Sequence, residues 1–318
     1  MSTPVEESST AAHRQVRIGT QVVGGSRLPV LAGPRRGAEV VHVTLRRHHG
    51  AVPADTELRK HRDLSAAPLL VEPFSAADLP AISRYADGLV IGGDSMQDFR
   101  LLTAVGGVGL PVVVHRGRHC TTAEWLSAVE YIRAEGTDDV VLCEAGSRRF
   151  GSERTTLDLA LVSEVRDRSG LPVVVDVTAT PWLAGSAVAA GADGIWLAED
   201  AGPADVDAAR EAATMLTPVV RQVTATSVPS CREAIDRVDA VLASLLEYRV
   251  SLAGEVQRYK PVGGHAGRDP DREAEIVRSM ATRAPSLTRE QLAGIMDAVI
   301  TAGLDAAAVA PEPPVWRL

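Results

Sequence analysis

Lysine is almost missing from this 318-residue chain: Lys60 and Lys260 are the only lysines among 33 basic residues. Aromatic residues make up 3% and the formal net charge is −8. With neither stacking platforms nor a basic stripe, the chain is not expected to take nucleic acid as a partner. Three cysteines, Cys120, Cys143 and Cys231, are odd in number, scattered and without a CxxC pair. That pattern argues against both a disulfide framework and a zinc knuckle, and it reads as buried thiols. No run approaches the ~18 apolar residues of a membrane span. The opening residues MSTPVEESSTAAHR have neither a basic start nor an apolar stretch, so no membrane is expected and the location expected is the cytoplasm. What is present is 45% hydrophobic content, enough to fill the cores of one large or two ordinary domains.

Beyond a leader (1–14) expected to be disordered, short β-branched runs alternate with amphipathic segments. The runs lie at 28–33, 39–45, 67–73, 86–93, 110–117, 139–146, 171–177 and 193–199, and each reads as a strand. Helical patterns fit 75–85, 95–106, 122–136, 157–170 and 205–216. Recurrent strand, helix, glycine, strand predicts right-handed βα units and a (β/α)₈ barrel over 15–225. Only RRGA separates the first two strands. That is too short for a helix, so the barrel is expected to be open or distorted there. The alternation stops near 221–230, and 226–318 reads as an all-helical domain. One long helix covers 231–260 with Ser230 as N-cap, a second covers 271–284, and a third covers 286–308, opened weakly by Ser286-x-x-Arg289.

The long helix carries an apolar seam, with Ile235, Val238, Leu242, Leu245, Leu252 and Val256 at heptad spacing. Such a seam wants a helical partner. Arg232, Arg249 and Lys260 sit on or beside it, where an unpaired charge would cost several kcal/mol of desolvation. A buried cationic cage implies an anion. Two short companion helices cannot cover so long a helix, so a homodimer through these helices is expected, with Arg232 reaching into the partner's site.

The phrase CREAIDRVDAVLASLLEYRVSLAGEVQRYK followed by RDPDREAEI resembles the first and second helices of the all-helical chorismate mutases. The resemblance implies that Arg232, Arg249, Lys260 and Arg272 form the cage. It also implies that Asp269 and Glu273 contact the ring hydroxyl of the substrate, chorismate or a similar dicarboxylate. Rearrangement to prephenate proceeds through a cyclic transition state in which the ether oxygen gains negative charge. No cofactor or metal is required. Guanidinium forks clamp the two carboxylates, and a cation at the ether oxygen stabilises the developing charge. On the third helix the family places a small hydroxyl residue and then a Gln or Glu at the ether oxygen. This chain has Gly303 and Ala307 there, which leaves Asp305 or Thr301 as the available substitutes.

The first domain resembles the DAHP synthases of the shikimate pathway. VLAGP (30–34), GGDSMQDFRLL (92–102), HRGRHCTTAEWLSAVEYIRAEG (115–136), VVLCEAGSRRF (140–150), TTLDL (155–159) and AGADGIWLAE (190–199) fall in the family's order. Those enzymes bind a divalent metal and phosphoenolpyruvate, and the matching positions differ here. Arg35, Ala179 and Ala198 stand where the Cys, His and Glu ligands are expected, with Glu199 one residue out of register. His115, Ala145 and Asp94 stand where the phosphate-binding Lys and two Arg belong. A catalytically silent barrel follows. His42, Glu72, His115, Glu144 and Asp176 remain near strand ends, where a new metal site is the sharper reading and a hydrogen-bonded remnant network the preferred one. The loop pair His48 and His49 reads as solvated.

Three functions compete. The first is a chorismate mutase fused to a DAHP-synthase-like scaffold or regulatory domain. The second is a non-enzymatic regulatory subunit that docks on an active DAHP synthase. The third is a related mutase or lyase acting on aminodeoxychorismate or isochorismate.

Overall fold

The computed structural model describes residues 14–25, 27–34, 36–48, 52–148, 155–221, 227–259 and 262–309. All of the leader but Arg14 falls outside them, as do Arg35, His49, Lys260 and the side chain of His48; Arg14 is ordered, its N donating to Gly170 O at 2.9 Å. The chain divides into two compact units, Met1–Thr226 and Ser227–Leu318.

In the first unit a hairpin, β1 (Gln15–Ile18) and β2 (Gln21–Gly24), precedes eight parallel strands. These are β3 (Val30–Gly33), β4 (Val40–Thr44), β5 (Leu69–Glu72), β6 (Gly88–Ile91), β7 (Val112–His115), β8 (Val140–Glu144), β11 (Val173–Asp176) and β12 (Gly194–Trp196). They close into a barrel of order β3-β4-β5-β6-β7-β8-β11-β12. All eight runs expected from the sequence are its strands. A small antiparallel pair, β9 (Ser147–Arg148) and β10 (Thr155–Thr156), lies between β8 and β11. Side-chain alternation sends Val40, Leu70, Val90, Val113, Val141 and Val174 into the lumen, where Val16, Ile18 and Val23 of the hairpin join them. The hairpin thus plugs the floor. Its turn needs Gly19 at φ +56°, pressed against Pro68.

The expected opening between the first two strands is not there. β3 and β4 pair directly, Ala32 with Val40 and Gly33 with Val41. Gly33, at φ +114°, turns the chain against the Leu197 carbonyl, where any Cβ would clash. Glu39 then ties the short connection down: its carboxylate accepts from Leu31 N at 2.6 Å, and its own N donates to Leu31 O at 2.9 Å. A side-chain acceptor supplies local closure without a helix.

The outer layer comprises α1 (Ala54–Leu64), α2 (Leu79–Tyr85), α3 (Phe99–Gly106), α4 (Thr122–Ala134), α5 (Leu159–Ser169), α6 (Ala184–Ala189) and α7 (Pro203–Val220). α1 and α6 were not expected from the sequence. The first buries only Leu58 and His61, and the second is a six-residue run of small residues. The first is almost wholly polar and the second too short to show a helical period, so neither stands out as an apolar stripe in the sequence.

Among the described residues the second unit has three α-helices, α8 (Val228–Tyr259), α9 (Pro270–Ala281) and α10 (Arg289–Val309), with a 3₁₀ turn at His265–Gly267 and α10 packed on both others. α8 buries none of its residues. Its six seam residues are between 46% and 57% exposed. Two caps differ from expectation. Ser227 rather than Ser230 opens α8: Ser230 N donates to Ser227 Oγ at 3.3 Å and Ser227 N to Ser230 Oγ at 3.0 Å. Thr288 and Gln291, rather than Ser286 and Arg289, make the reciprocal cap of α10, at 3.2 and 2.9 Å.

Candidate active site

A cavity of about 310 Å³ opens among α8, α9 and α10, lined by Arg249, Leu252, Val256, Arg268, Asp269, Arg272, Glu273, Ile300 and Leu304 among others. Spacing on α8 explains part of it, because 249, 252 and 256 follow one helical face. Asp269 supplies another part. As N-cap of α9 its Oδ1 accepts from Asp271 N and Arg272 N, both at 3.1 Å. That cap, with Pro270 in the first turn, presents Arg272 and Glu273 at the helix start.

Four of the six expected residues therefore line one cavity: Arg249, Asp269, Arg272 and Glu273. Arg249 is half-buried, and its Nη1 reaches Val299 O at 3.4 Å. Arg272 is mostly exposed and paired with Glu275. Arg232 is not among the lining residues; seventeen positions before Arg249 on a straight helix place it roughly 25 Å away. Lys260 lies outside the described residues.

Arg268 was missed by sequence reasoning. Its Nε and Nη2 hold the two oxygens of Glu273 at 2.8 and 2.7 Å, and Nη2 also meets Asp297 at 2.6 Å. These bonds hold the Glu273 carboxyl below the usual range, outweighing its slight burial and the neighbouring Asp297 and Asp269. The proposed substitutes on α10 are engaged elsewhere. Thr301 Oγ1 accepts from Arg268 Nη1 at 3.5 Å, and Asp305 pairs with His265 at 2.8 Å. Gly303 is buried, with room for a small side chain whose Cβ would sit 3.6 Å from Arg249 Nη1.

The mouth of the barrel is arranged differently. Arg116 grips Glu144 with two prongs, both residues buried. Arg46 pairs with Glu72 and Arg47 with Glu199, each at 2.9 Å, while Asp176 accepts from Thr178 N. The expected remnant network does not extend to the histidines. Trp196 projects into the lumen and contacts His42 and His115 edge-on, at centroid distances of 4.8 and 4.9 Å. Both histidine Nε2 atoms are buried without a hydrogen-bond partner. Burial, followed by the His115 and Arg47 charges, pushes the His42 pKa down to about 3.

A cavity of about 240 Å³ remains at the mouth, lined by Asp94, Ala179 and other residues. Among the described residues no group of three or more His, Cys, Asp or Glu side chains is arranged to hold a metal. Two expected ligand positions offer only the methyl groups of Ala179 and Ala198. Of the donors that remain, the glutamates are paired with arginines, the histidines stack on an indole and Asp176 accepts from a backbone N–H, so the described residues do not fit the divalent ion that the family resemblance implies.

Comparison with known proteins matches each of the two units to a family. Residues 52–218 match the DAHP synthetase I family model, and residues 231–306 match the model of chorismate mutase type II. A phospho-2-dehydro-3-deoxyheptonate aldolase of Thermotoga maritima is 36% identical over 146 residues, 43% of this chain and 43% of the relative. A 2-dehydro-3-deoxyphosphooctonate aldolase of Acidithiobacillus ferrooxidans is 25% identical over 166 residues, 46% of this chain and 58% of the relative. This chain thus spans about half the length of the curated relatives it matches. A solved truncated form of the Thermotoga maritima 3-deoxy-D-arabino-heptulosonate 7-phosphate synthase superposes with a TM-score of 0.57 at 25% identity, covering 66% of this chain and 95% of that one. The chain belongs to the DAHP synthetase I family, whose model covers just over half of it, and carries behind that barrel a chorismate mutase type II domain.

Proposed function

We propose that the helical domain converts chorismate to prephenate, and that the fused barrel is a non-catalytic scaffold or regulatory domain. One observation carries the first half: a single cavity gathers Arg249, Arg268 and Arg272 with Asp269 and Glu273. This donor set suits a rearrangement that needs only conformational restraint and charge stabilisation. Arg249 and Arg272 clamp the carboxylates, and Asp269 and Glu273 accept from the ring hydroxyl. Lys260 follows the last turn of α8 and stabilises the ether oxygen as charge develops on it. Arg232 completes the site from a second copy of the chain. The exposed α8 seam supports that dimer, since six large apolar side chains in one stripe otherwise face water.

The second half rests on the barrel mouth, where arginines pair with Glu72 and Glu144 and Asp94 stands in place of a phosphate-binding cation. Gly303 and Ala307 favour a second reading, in which the chain is a regulatory subunit docking on an active DAHP synthase. They also leave room for a related reaction on aminodeoxychorismate or isochorismate. The location proposed is the cytoplasm; among the described residues no helix is long and apolar enough to cross a membrane.

The test is NMR of chorismate incubated with the wild-type chain and with Arg249→Ala. Prephenate from the wild type and a large loss in the variant support the mutase. Untouched chorismate favours the regulatory reading, and a different product identifies the related chemistry.

A further inference from the structure

We propose that Arg268 is a positioning residue of the mutase site, which holds the Glu273 carboxylate where the substrate's ring hydroxyl meets it and is itself anchored on α10. This inference rests on the mutase reading above.

A glutamate in the first turn of a helix has three rotatable bonds and no preferred direction, and a free carboxylate repels a dicarboxylate substrate. Both problems are met by one guanidinium. Arg268 Nε and Nη2 hold the two Glu273 oxygens at 2.8 and 2.7 Å, a planar fork that fixes the carboxylate's orientation and balances its charge. The fork is braced in turn. Nη2 bonds Asp297 at 2.6 Å and Nη1 meets Thr301 at 3.5 Å, both on α10. Arg268 lies two residues before Pro270, where α9 begins, so it links the loop before α9 to α10. Side-chain exposures of 28% for Arg268 and 27% for Glu273 leave the pair accessible from the cavity they line.

The surrounding charges define the consequence of losing it. Glu273 faces Asp269 on its own helix and Asp297 on α10, and each of these makes its carboxyl easier to protonate. Arg249 of α8 and Arg272 of α9 line the same cavity, but Arg272 is paired with Glu275 and Arg249 with the Val299 carbonyl. Without Arg268 the carboxylate is left beside two like charges with no fork, so it protonates at higher pH and turns freely. Lysine cannot replace the fork, since an ammonium is a point charge without planar geometry.

The experiment uses the full chain labelled with ¹³C in glutamate side chains, with the Glu273 signal assigned by its loss in Glu273→Gln. It reads the Glu273 titration in wild type, Arg268→Ala and Arg268→Lys, alongside kcat and KM for chorismate. Arg268→Ala is expected to raise the titration midpoint by about one pH unit or more and KM by about ten-fold, with Arg268→Lys between. The Arg268→Ala penalty should largely disappear in a Glu273→Gln background, because the role runs through that carboxylate. If Arg268→Ala does not fold, Arg268→Lys and its double variant carry the same test. An unmoved Glu273 titration, or an undiminished penalty in the Glu273→Gln background, overturns the proposal. The titration needs no substrate. A wild type that leaves chorismate untouched while the titration still depends on Arg268 overturns the mutase reading and leaves the clamp standing.

Discussion

The barrel mouth and the helical cavity hold the same kinds of side chain, arginines beside carboxylates, and differ in what those groups face. At the mouth, Arg116 closes on Glu144, Arg46 on Glu72 and Arg47 on Glu199, while Trp196 fills the space between two histidines. In the helical unit Arg249 and Arg272 line a cavity, and the Glu273 carboxylate is turned to it by Arg268. Charge at a strand end or on a helix face does not by itself make a site. Access to the cavity does: Arg249 is held only by a carbonyl at 3.4 Å and Arg272 by an exposed ion pair, whereas Arg116 and Glu144 are buried in each other's grip.

The largest expected effect sharpens this contrast. Arg249→Ala should lower chorismate turnover by a factor on the order of 10²–10³, with little change in the stability of the barrel. Arg116→Ala should do the reverse. It leaves Glu144, which is fully buried, without its cation, and should destabilise the barrel by about 3–5 kcal/mol while mutase kinetics stay intact. Thermal unfolding and turnover measured on both variants would separate the two roles. Equal loss of activity in both would erase the distinction.

The next effect concerns the uncovered seam of α8. Arg232→Ala and Arg249→Ala chains should each be nearly inactive, and subunit exchange between them should restore part of the activity because one composite site is then whole. No recovery after exchange has been confirmed by mass spectrometry would place Arg232 outside the site.

Much of this was legible in the sequence, and the failures have physical causes. The eight barrel strands show as β-branched runs because both faces of each strand are covered. The closure between β3 and β4 was not legible, since it depends on Gly33 at positive φ and on the Glu39 side chain accepting a backbone bond. In the helical unit, Arg249 was readable as a charge interrupting an apolar stripe, while Asp269, Arg272 and Glu273 came only from the family resemblance. Arg268 was not: its partners lie 5 and 29 positions away, and neither interval is a helical repeat. The histidines were misread for a related reason. Periodicity places His42 and Trp196 in the lumen, but only the assembled barrel shows that they touch.

A smaller effect distinguishes the two units by pH. His42 is buried neutral with a pKa near 3 against an ordinary 6.5. The unfolded chain takes up a proton that the folded barrel does not, so stability is full above about pH 6.5 and falls as pH drops from there toward 3. The slope is at most about 1.4 kcal/mol per pH unit from this group. Melting curves at pH 7 and pH 5 should show the loss, and His42→Leu should reduce it. An equal acid loss in the variant would assign the effect to other groups. Smallest of all, Ala307→Gln should raise chorismate turnover a few-fold by adding a donor near the ether oxygen, with Gly303→Ser a weaker companion. A lower rate in either folded variant would show that the third helix meets the substrate in another register.

The proposed division of the molecule is between a working helical site and a silent barrel. One mixture tests it: the full chain with chorismate, phosphoenolpyruvate, erythrose 4-phosphate and Mn²⁺, followed by ¹H and ³¹P NMR. Chorismate is expected to become prephenate while the phosphoenolpyruvate signal stays unchanged. Release of inorganic phosphate as phosphoenolpyruvate disappears, or chorismate that persists beyond its uncatalysed decay, would contradict it.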